Sequence, residues 1–226
     1  FEPSSLQLRS SRATSQAPAP KCLFFCPWSS APGVFGPPTG LRLPYPTIRD
    51  NTEGEAAFAD VVELLPPARA PSAGQAPLLL LDVGAGQSDA ARDFMKRARP
   101  DVTVVAADPY NRSEAENESA QRTVLKAGGA DVVTSMSVLN VIGEQQVRAE
   151  HISLVHDALR PGGVAIFKVW AGLWPERGTS HPTLEGDTFQ ANAWASAFLP
   201  EVERRFGEGW AYAANDLNLI VAVRTQ

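Results

Sequence analysis

Leu78–Phe94, "LLLLDVGAGQSDAARDF", is the stretch whose reading decides the fold. Leu78–Val83 is an apolar run holding one acid and bounded by turn residues, which reads as a buried strand. Gly84 and Gly86 mark a tight turn, and a polar helix follows to about Arg99, closed by Pro100. A strand that feeds a glycine turn and then a helix is the unit from which parallel sheets are built.

Downstream the alternation repeats. Val102–Ala107 reads as a second strand. Ser113 and Glu116 form a capping box that opens a helix ending at Gly128-Gly129. Asp131–Ser137 is a third strand. Glu144–Arg160 is a helix with Val147, His151, Leu154, Val155 and Ala158 on one face, stopped by Pro161-Gly162-Gly163. Val164–Trp170 is a fourth strand. Asp187 and Gln190 predict a capped helix carrying Phe189, Ala193, Trp194, Ala197 and Phe198 up to Pro200, and the segment from Val202 onward reads as two strands joined by a turn. The pattern predicts an α/β, Rossmann-like, mostly parallel sheet with helices on both faces.

Upstream, residues 1–46 are rich in Pro, Ser and Ala and lack a sustained period of 2 or 3.6. They carry Arg9, Arg12, Lys21 and Arg42 against one acid, Glu2, and read as a disordered or targeting leader. The expected domain is 47–226. It opens with "TIRDN", where Arg49 and Asp50 are placed as a flap, and with a helix at about 53–65 capped by Thr52 and Glu55. Phe58, Val61, Val62 and Leu65 share a face of that helix, and "PPARAPSAGQAP" follows as a linker.

Composition excludes several classes. The formal charge of −5 over 226 residues gives no bulk reason for tight nucleic-acid binding. No apolar run reaches the roughly 18 residues that cross a bilayer, so the expectation is a soluble intracellular protein, cytoplasmic, or organellar if the leader is a transit peptide. The two cysteines, Cys22 and Cys26, exclude a disulfide framework, and the third cysteine of a radical iron–sulfur motif is replaced by Ser29. No clustered His/Cys/Asp set has metal-ligand spacing, so no metal is expected. Phosphate-loop and Gly-x-Ser-x-Gly patterns are absent.

In an open parallel sheet, ligands sit at the carboxyl ends of the strands, where strand order reverses. Glycines after the first strand let a ligand approach backbone, and an acid ending the second strand accepts from ribose hydroxyls. Asp108 stands 22 residues after Gly86, the interval that role needs. A dinucleotide fingerprint also needs Gly or Ala at position 89, where this chain has Asp89, which disfavours a nicotinamide oxidoreductase.

The ordered set of strand, Asp82, Gly84, Gly86, strand and Asp108 resembles the class I S-adenosylmethionine-dependent methyltransferases. "LRPGGVAIFKVW" resembles their helix–turn–strand, and the closing run Leu217–Val223 their antiparallel last strand. "ADPYNRSEAEN", "VVTSMSVLNVI" and "FKVW" together resemble a bacterial-type group of that family, some of whose members lie near DNA-modification genes. In that group an Asn often precedes the "SVLNV" run, where this chain has Met136. The family's fold inserts a further strand and helix after the ribose acid. Only 22 residues lie between Asp108 and Asp131 here, so a sheet of about six strands lacking one edge strand is predicted.

The resemblance implies S-adenosylmethionine as cofactor, held by Asp82, Gly84, Ala85, Gly86, Asp108, Pro109, Ser135 and Ser137. Asp82 would face the ammonium group and Asp108 the ribose. It implies methyl transfer to an acceptor that is a small molecule or a nucleic acid, although the "[DNS]-P-P-[YF]" signature of amino-methylating nucleobase enzymes is absent. A non-catalytic S-adenosylmethionine or nucleotide sensor on the same scaffold is the alternative. The catalytic candidates are Asn140, placed for cofactor or substrate contact with a helix-entry cap as its other reading, and Lys168, which alternation sends either to the pocket or to a solvated sheet edge. The loop "AGLWPERGTSHP" would be a substrate lid offering Trp174, Arg177 and His181. His151 is assigned to the core and His156 to a solvated helix flank.

Overall fold

The computed structural model describes residues 51–66, 76–171, 180–182, 189–214 and 216–225. The first helix, α1, spans Asn51–Leu64. Strand β1 (Leu78–Val83) is buried along its whole length, as a central parallel strand covered on both faces must be. Helix α2 (Ala90–Ala98), strand β2 (Val102–Ala107), helix α3 (Glu114–Lys126) and strand β3 (Ala130–Met136) follow. After a 3-10 turn at Leu139–Val141 come helix α4 (Gln145–Ala158) and strand β4 (Leu159–Lys168). Two short strands, β5 (Ser180–Pro182) and β6 (Phe189–Ala191), precede helix α5 (Leu199–Phe206) and strands β7 (Ala211–Ala214) and β8 (Leu219–Val223).

The main sheet has six strands in the order β2-β1-β3-β4-β8-β7, while β5 and β6 form a separate antiparallel pair. Strands β2, β1, β3 and β4 are mutually parallel, and β8 runs antiparallel to both β4 and β7. The trimmed Rossmann-like sheet with an antiparallel last strand is therefore what the chain forms. Between β2 and β3 the chain has only α3, and β2 is the sheet edge.

Alternation along the strands divides the core. On one face Leu78, Leu80, Val132 and Ile166 pack with Phe58 and Val61 of α1 and Met95 of α2. On the other, Leu79, Leu81, Val133 and Phe167 pack with Val124 of α3, Ile152 and Val155 of α4, and Val202 and Phe206 of α5. Each such side chain contributes roughly 1.5–3 kcal/mol by leaving water. The sheet is fixed by two apolar faces, and its strand ends are left for chemistry.

Four expectations need correction. The helix predicted from Asp187 to Pro200 does not form: 189–191 is strand β6, and Pro200 sits in the first turn of α5. Proline lacks an N–H that a first turn would leave unused, so there it starts a helix rather than ending one. The run from Val202 accordingly begins in α5 before the two strands. Pro161-Gly162-Gly163 lies inside β4 at a register shift, not in a terminating turn. Glycine is needed there because a Cβ on Gly163 would come within 2.9 Å of the Arg160 carbonyl oxygen. His156 is buried at 9% exposure, edge-on to Phe206 and 2.8 Å from Asp157, not on a solvated flank. His151 is in the core as expected. Arg49, Asp50, Trp174, Arg177 and Asp187 lie outside the described residues, as do the side chains of Thr52, Glu55 and His181.

Candidate cofactor site

The strand order reverses between β1 and β3, since the chain leaves β1 toward β2 on one side and returns to β3 on the other. Ligand crevices form at such a switch point. Two polar side chains face each other across it. Asp82 and Thr134 are register partners, and the Thr134 hydroxyl donates to Asp82 Oδ1 at 2.7 Å. Asp82 is only 4% exposed. Burial pushes its carboxyl from the ordinary 3.8 up to about 6, opposed by the Thr134 hydrogen bond and by the positive charge of Arg112, and assisted by Asp108. A buried carboxylate of this kind is poorly compensated by its protein neighbours, so a cation reaching it would be bound strongly.

The two glycines of the turn do different work. Gly84 has φ +78°, and a Cβ there would lie 2.5 Å from Val138 Cγ2. It lets the turn after β1 press against the segment after β3. Gly86, at φ +64°, has nothing within 4 Å of where its Cβ would stand, so its α-carbon faces open space. The amides of Gly84 and Ala85 both donate to Ala107 O, at 2.8 and 3.3 Å, tying the turn to the end of β2.

Asp108 is 4% exposed, and each of its carboxylate oxygens accepts twice. Oδ2 takes Gly86 N at 2.9 Å and Asn111 Nδ2 at 3.2 Å. Oδ1 takes the amides of Tyr110 and Asn111, both at 2.9 Å. Pro109 begins the loop that this carboxylate gathers. Asn117, a residue the sequence reading passed over, closes the loop from below: its Oδ1 accepts from Asp108 N at 2.8 Å, and its Nδ2 donates to Asp108 O at 3.0 Å. The predicted Ser113–Glu116 capping box is present, and the Ser113 hydroxyl holds the Glu116 carboxyl below its usual range.

Arg112, also unassigned from sequence, spans from this loop to the start of α2. Its Nη2 donates to Ser88 O and to Asp89 Oδ1, both at 3.0 Å, from a side chain only 6% exposed. Asp89 is thus an ion-pair partner, and it stands where a phosphate-binding turn needs glycine. An incoming pyrophosphate at the α2 N-terminus would meet a carboxylate and a carbonyl oxygen, both of its own sign.

The remaining candidates diverge. Ser137 follows β3 in a left-handed conformation, φ +57°, uncommon for a residue with a side chain, and its amide donates to Lys168 O at 2.9 Å. Ser135 is fully buried on the opposite sheet face, its hydroxyl 2.8 Å from His151 Nε2. Burial lowers His151 to about 4, so this partner is a neutral imidazole at physiological pH. Lys168 neither enters the crevice as a free amine nor lies at a solvated edge; it is ion-paired with Asp60 of α1. Asn140 is 1% exposed and braces the far side of the strand ends. It donates to Gln190 Oε1 at 3.1 Å and accepts from Trp170 N at 3.4 Å, while Gln190 Nε2 donates to Ala191 O at 2.7 Å. Trp170 is held with 52% of its surface exposed.

Among the described residues no group of three potential ligands comes together around a metal position, and no helix is long and apolar enough to cross a membrane. No family model matches the chain. No curated protein sequence matches it either. Solved structures do resemble it. An O-methyltransferase family protein from Burkholderia thailandensis superimposes with a TM-score of 0.51 at 14% identity, over 78% of this chain and 58% of that one. The sugar N-methyltransferase KedS8 from Streptoalloteichus gives 0.49 at 14%, over 79% and 89%. DesVI of Streptomyces venezuelae gives 0.45 at 16%, over 76% and 92%. The fold is that of the Rossmann-like methyltransferases; at such identities the likeness is one of fold.

Proposed function

We propose that the chain binds S-adenosylmethionine in the crevice above β1 and β3 and transfers its methyl group to an acceptor. The observation that carries this reading is Asp82: a buried carboxylate at the switch point, bonded to Thr134 and pushed up to about 6 by its burial, which Thr134 and Arg112 offset only in part. An ammonium group supplies the remaining compensation. Gly86 leaves the space for the methionine chain, and Gly84, Ala85 and Ser137 shape the crevice wall. The likeness in fold to methyltransferases and the "DPYNR", "SVLNVI" and "FKVW" motifs support the same class. The Asp89–Arg112 pair argues against a pyrophosphate-bearing dinucleotide.

When bound, the cofactor supplies an electrophilic methyl on a sulfonium. The protein's part is to fix that group and to exclude water. Asp108 orders the turn through Gly86 N, and a ribose hydroxyl would replace Asn111 Nδ2, its longest contact. The far wall, braced by Asn140 and carrying Trp170, is where an acceptor would approach.

One observation favours a second reading. Asn140 and Lys168 are both committed to protein partners, so neither is a free base. A non-catalytic S-adenosylmethionine sensor has this arrangement, as does a methyltransferase whose acceptor needs no deprotonation. Mixing the chain with radiolabelled S-adenosylmethionine and fractionated small molecules and nucleic acids tests transfer. Label appearing on an acceptor together with S-adenosylhomocysteine supports the enzyme; tight binding without release of S-adenosylhomocysteine supports the sensor.

A further inference from the structure

Arg112 bears on Asp82 by its charge and pairs with Asp89, and its surroundings are unusually determined. Its amide donates to Asp108 O at 3.1 Å, and its own carbonyl oxygen accepts from Asn117 Nδ2 at 3.3 Å. Its guanidinium reaches Ser88 O and Asp89 Oδ1 at 3.0 Å, with Glu116 Oε1 at 3.7 Å. Nε is buried with no hydrogen-bond partner, a geometry that is costly unless other contacts impose it. The planar fork of arginine suits such bridging, whereas a lysine ammonium is a point charge.

Two links therefore join the loop after β2 to the turn after β1: Asp108 to Gly86 N, and Arg112 to the Ser88–Asp89 step. They bracket Gly86, the one turn glycine that faces open space. Resting on the cofactor assignment made above, we propose that Arg112 is a positioning residue that presets the cofactor turn by bridging the loop after β2 to the Ser88–Asp89 step. The groups bearing on Asp82 are the Thr134 hydroxyl of β3, and Arg112 and Asp108 from the segment after β2. Arg112 is the only cation in that set.

Bridge and charge separate by substitution. Arg112→Met removes both bridge and charge. S-adenosylmethionine Kd rises roughly tenfold or more, and the pH at which binding is half lost moves upward as the positive charge bearing on Asp82 is lost. Asp89→Ala removes one of the two acceptors that hold the bridge, leaving Ser88 O and the cation in place, so Kd rises by less while the pH midpoint stays. Arg112→Lys restores the midpoint but not the affinity. Arg122→Met, which removes an exposed pair with Glu118, is the control with unchanged binding. The experiment is calorimetric titration with S-adenosylmethionine from pH 5 to 8, circular dichroism confirming that each variant is folded. A native Kd and midpoint in Arg112→Met overturns the proposal. Should that variant fail to fold, a native Kd in both Asp89→Ala and Arg112→Lys overturns it. Absence of binding by the unaltered chain defeats the cofactor reading itself and is recognisable as a separate failure.

Discussion

The two halves of the strand-end crevice are built from similar polar residues arranged to opposite effect. On the far side, Asn140 donates to Gln190 and accepts from the Trp170 amide, Gln190 donates on to Ala191 O, and Lys168 meets Asp60. On the near side the loops are equally well bonded, but they enclose Asp82, whose charge the protein offsets only in part. Reciprocated polar groups fix a scaffold, whereas an under-compensated buried charge is a recognition element that costs stability until its partner arrives. On the proposed reading, ligand affinity resides on the near side and shape on the far side.

Asp82→Asn should break this contrast most sharply. It keeps an acceptor for the Thr134 hydroxyl but removes the charge, so S-adenosylmethionine affinity should fall roughly 100-fold, consistent with loss of a buried ion pair. The same substitution should raise the melting temperature of the ligand-free chain at pH 7.5. With its pKa at 3.8 unfolded and about 6 folded, Asp82 binds its proton more readily in the folded state. Its penalty, on the order of 3 kcal/mol, is therefore absent below pH 4 and full above pH 6. Differential scanning fluorimetry at several pH values measures this, and a lower melting temperature at pH 7.5 would count against the charge being uncompensated.

Next in size is Gly84→Ala, which meets Val138 Cγ2 at 2.5 Å from a backbone at φ +78°. A loss of about 2–4 kcal/mol is expected from overpacking and left-handed strain together. Val138→Ala in the same chain should recover the steric part. Gly86→Ala, with free space around its Cβ, should lose only about 1 kcal/mol of stability while weakening cofactor binding. Urea denaturation with and without S-adenosylmethionine distinguishes the pair. If both glycines cost the same, the division of labour between them is wrong.

Asn140→Ala sharpens the comparison from the far side. About 1–3 kcal/mol of stability should be lost as Gln190 Oε1 and Trp170 N lose their partner, with S-adenosylmethionine Kd unchanged. A matching drop in cofactor affinity would make the two sides one unit.

The smallest effect concerns acid stability. His151, lowered to about 4 by burial, loses stability as pH falls from 6.5 toward 4, whereas Asp82 gains it over nearly the same interval. The two slopes oppose, so Asp82 should offset part of the decline that His151 and His156, both lowered by burial, impose on the native chain. Asp82→Asn should expose the full decline on acidification, read from equilibrium denaturation at pH 4, 5 and 6.

The central half of the fold was legible because its signals are local. An apolar run into Asp82, glycines at fixed offsets and a Ser113–Glu116 box each declare themselves within a few residues. The missing edge strand was legible from chain length alone. What escaped depends on partners distant in sequence. Asp89 reads as a missing glycine until Arg112, 23 residues on, is seen to bind it. Asn117 reads as one more polar residue on an exposed helix. The β5–β6 pair has strands too short to show a period, and Pro200 serves as well to open a helix as to end one. His156 looks solvated until Phe206, from another helix, covers it.

The central question at this crevice is whether a cation-bearing cofactor meets Asp82. Isothermal titration of the 226-residue chain with S-adenosylmethionine and, separately, with NAD, repeated from pH 5 to 8, addresses this directly. Micromolar S-adenosylmethionine binding that weakens as pH falls through about 6, with no heat from NAD, is the predicted result. Binding of NAD, no binding of S-adenosylmethionine, or affinity indifferent to pH across that interval would contradict it.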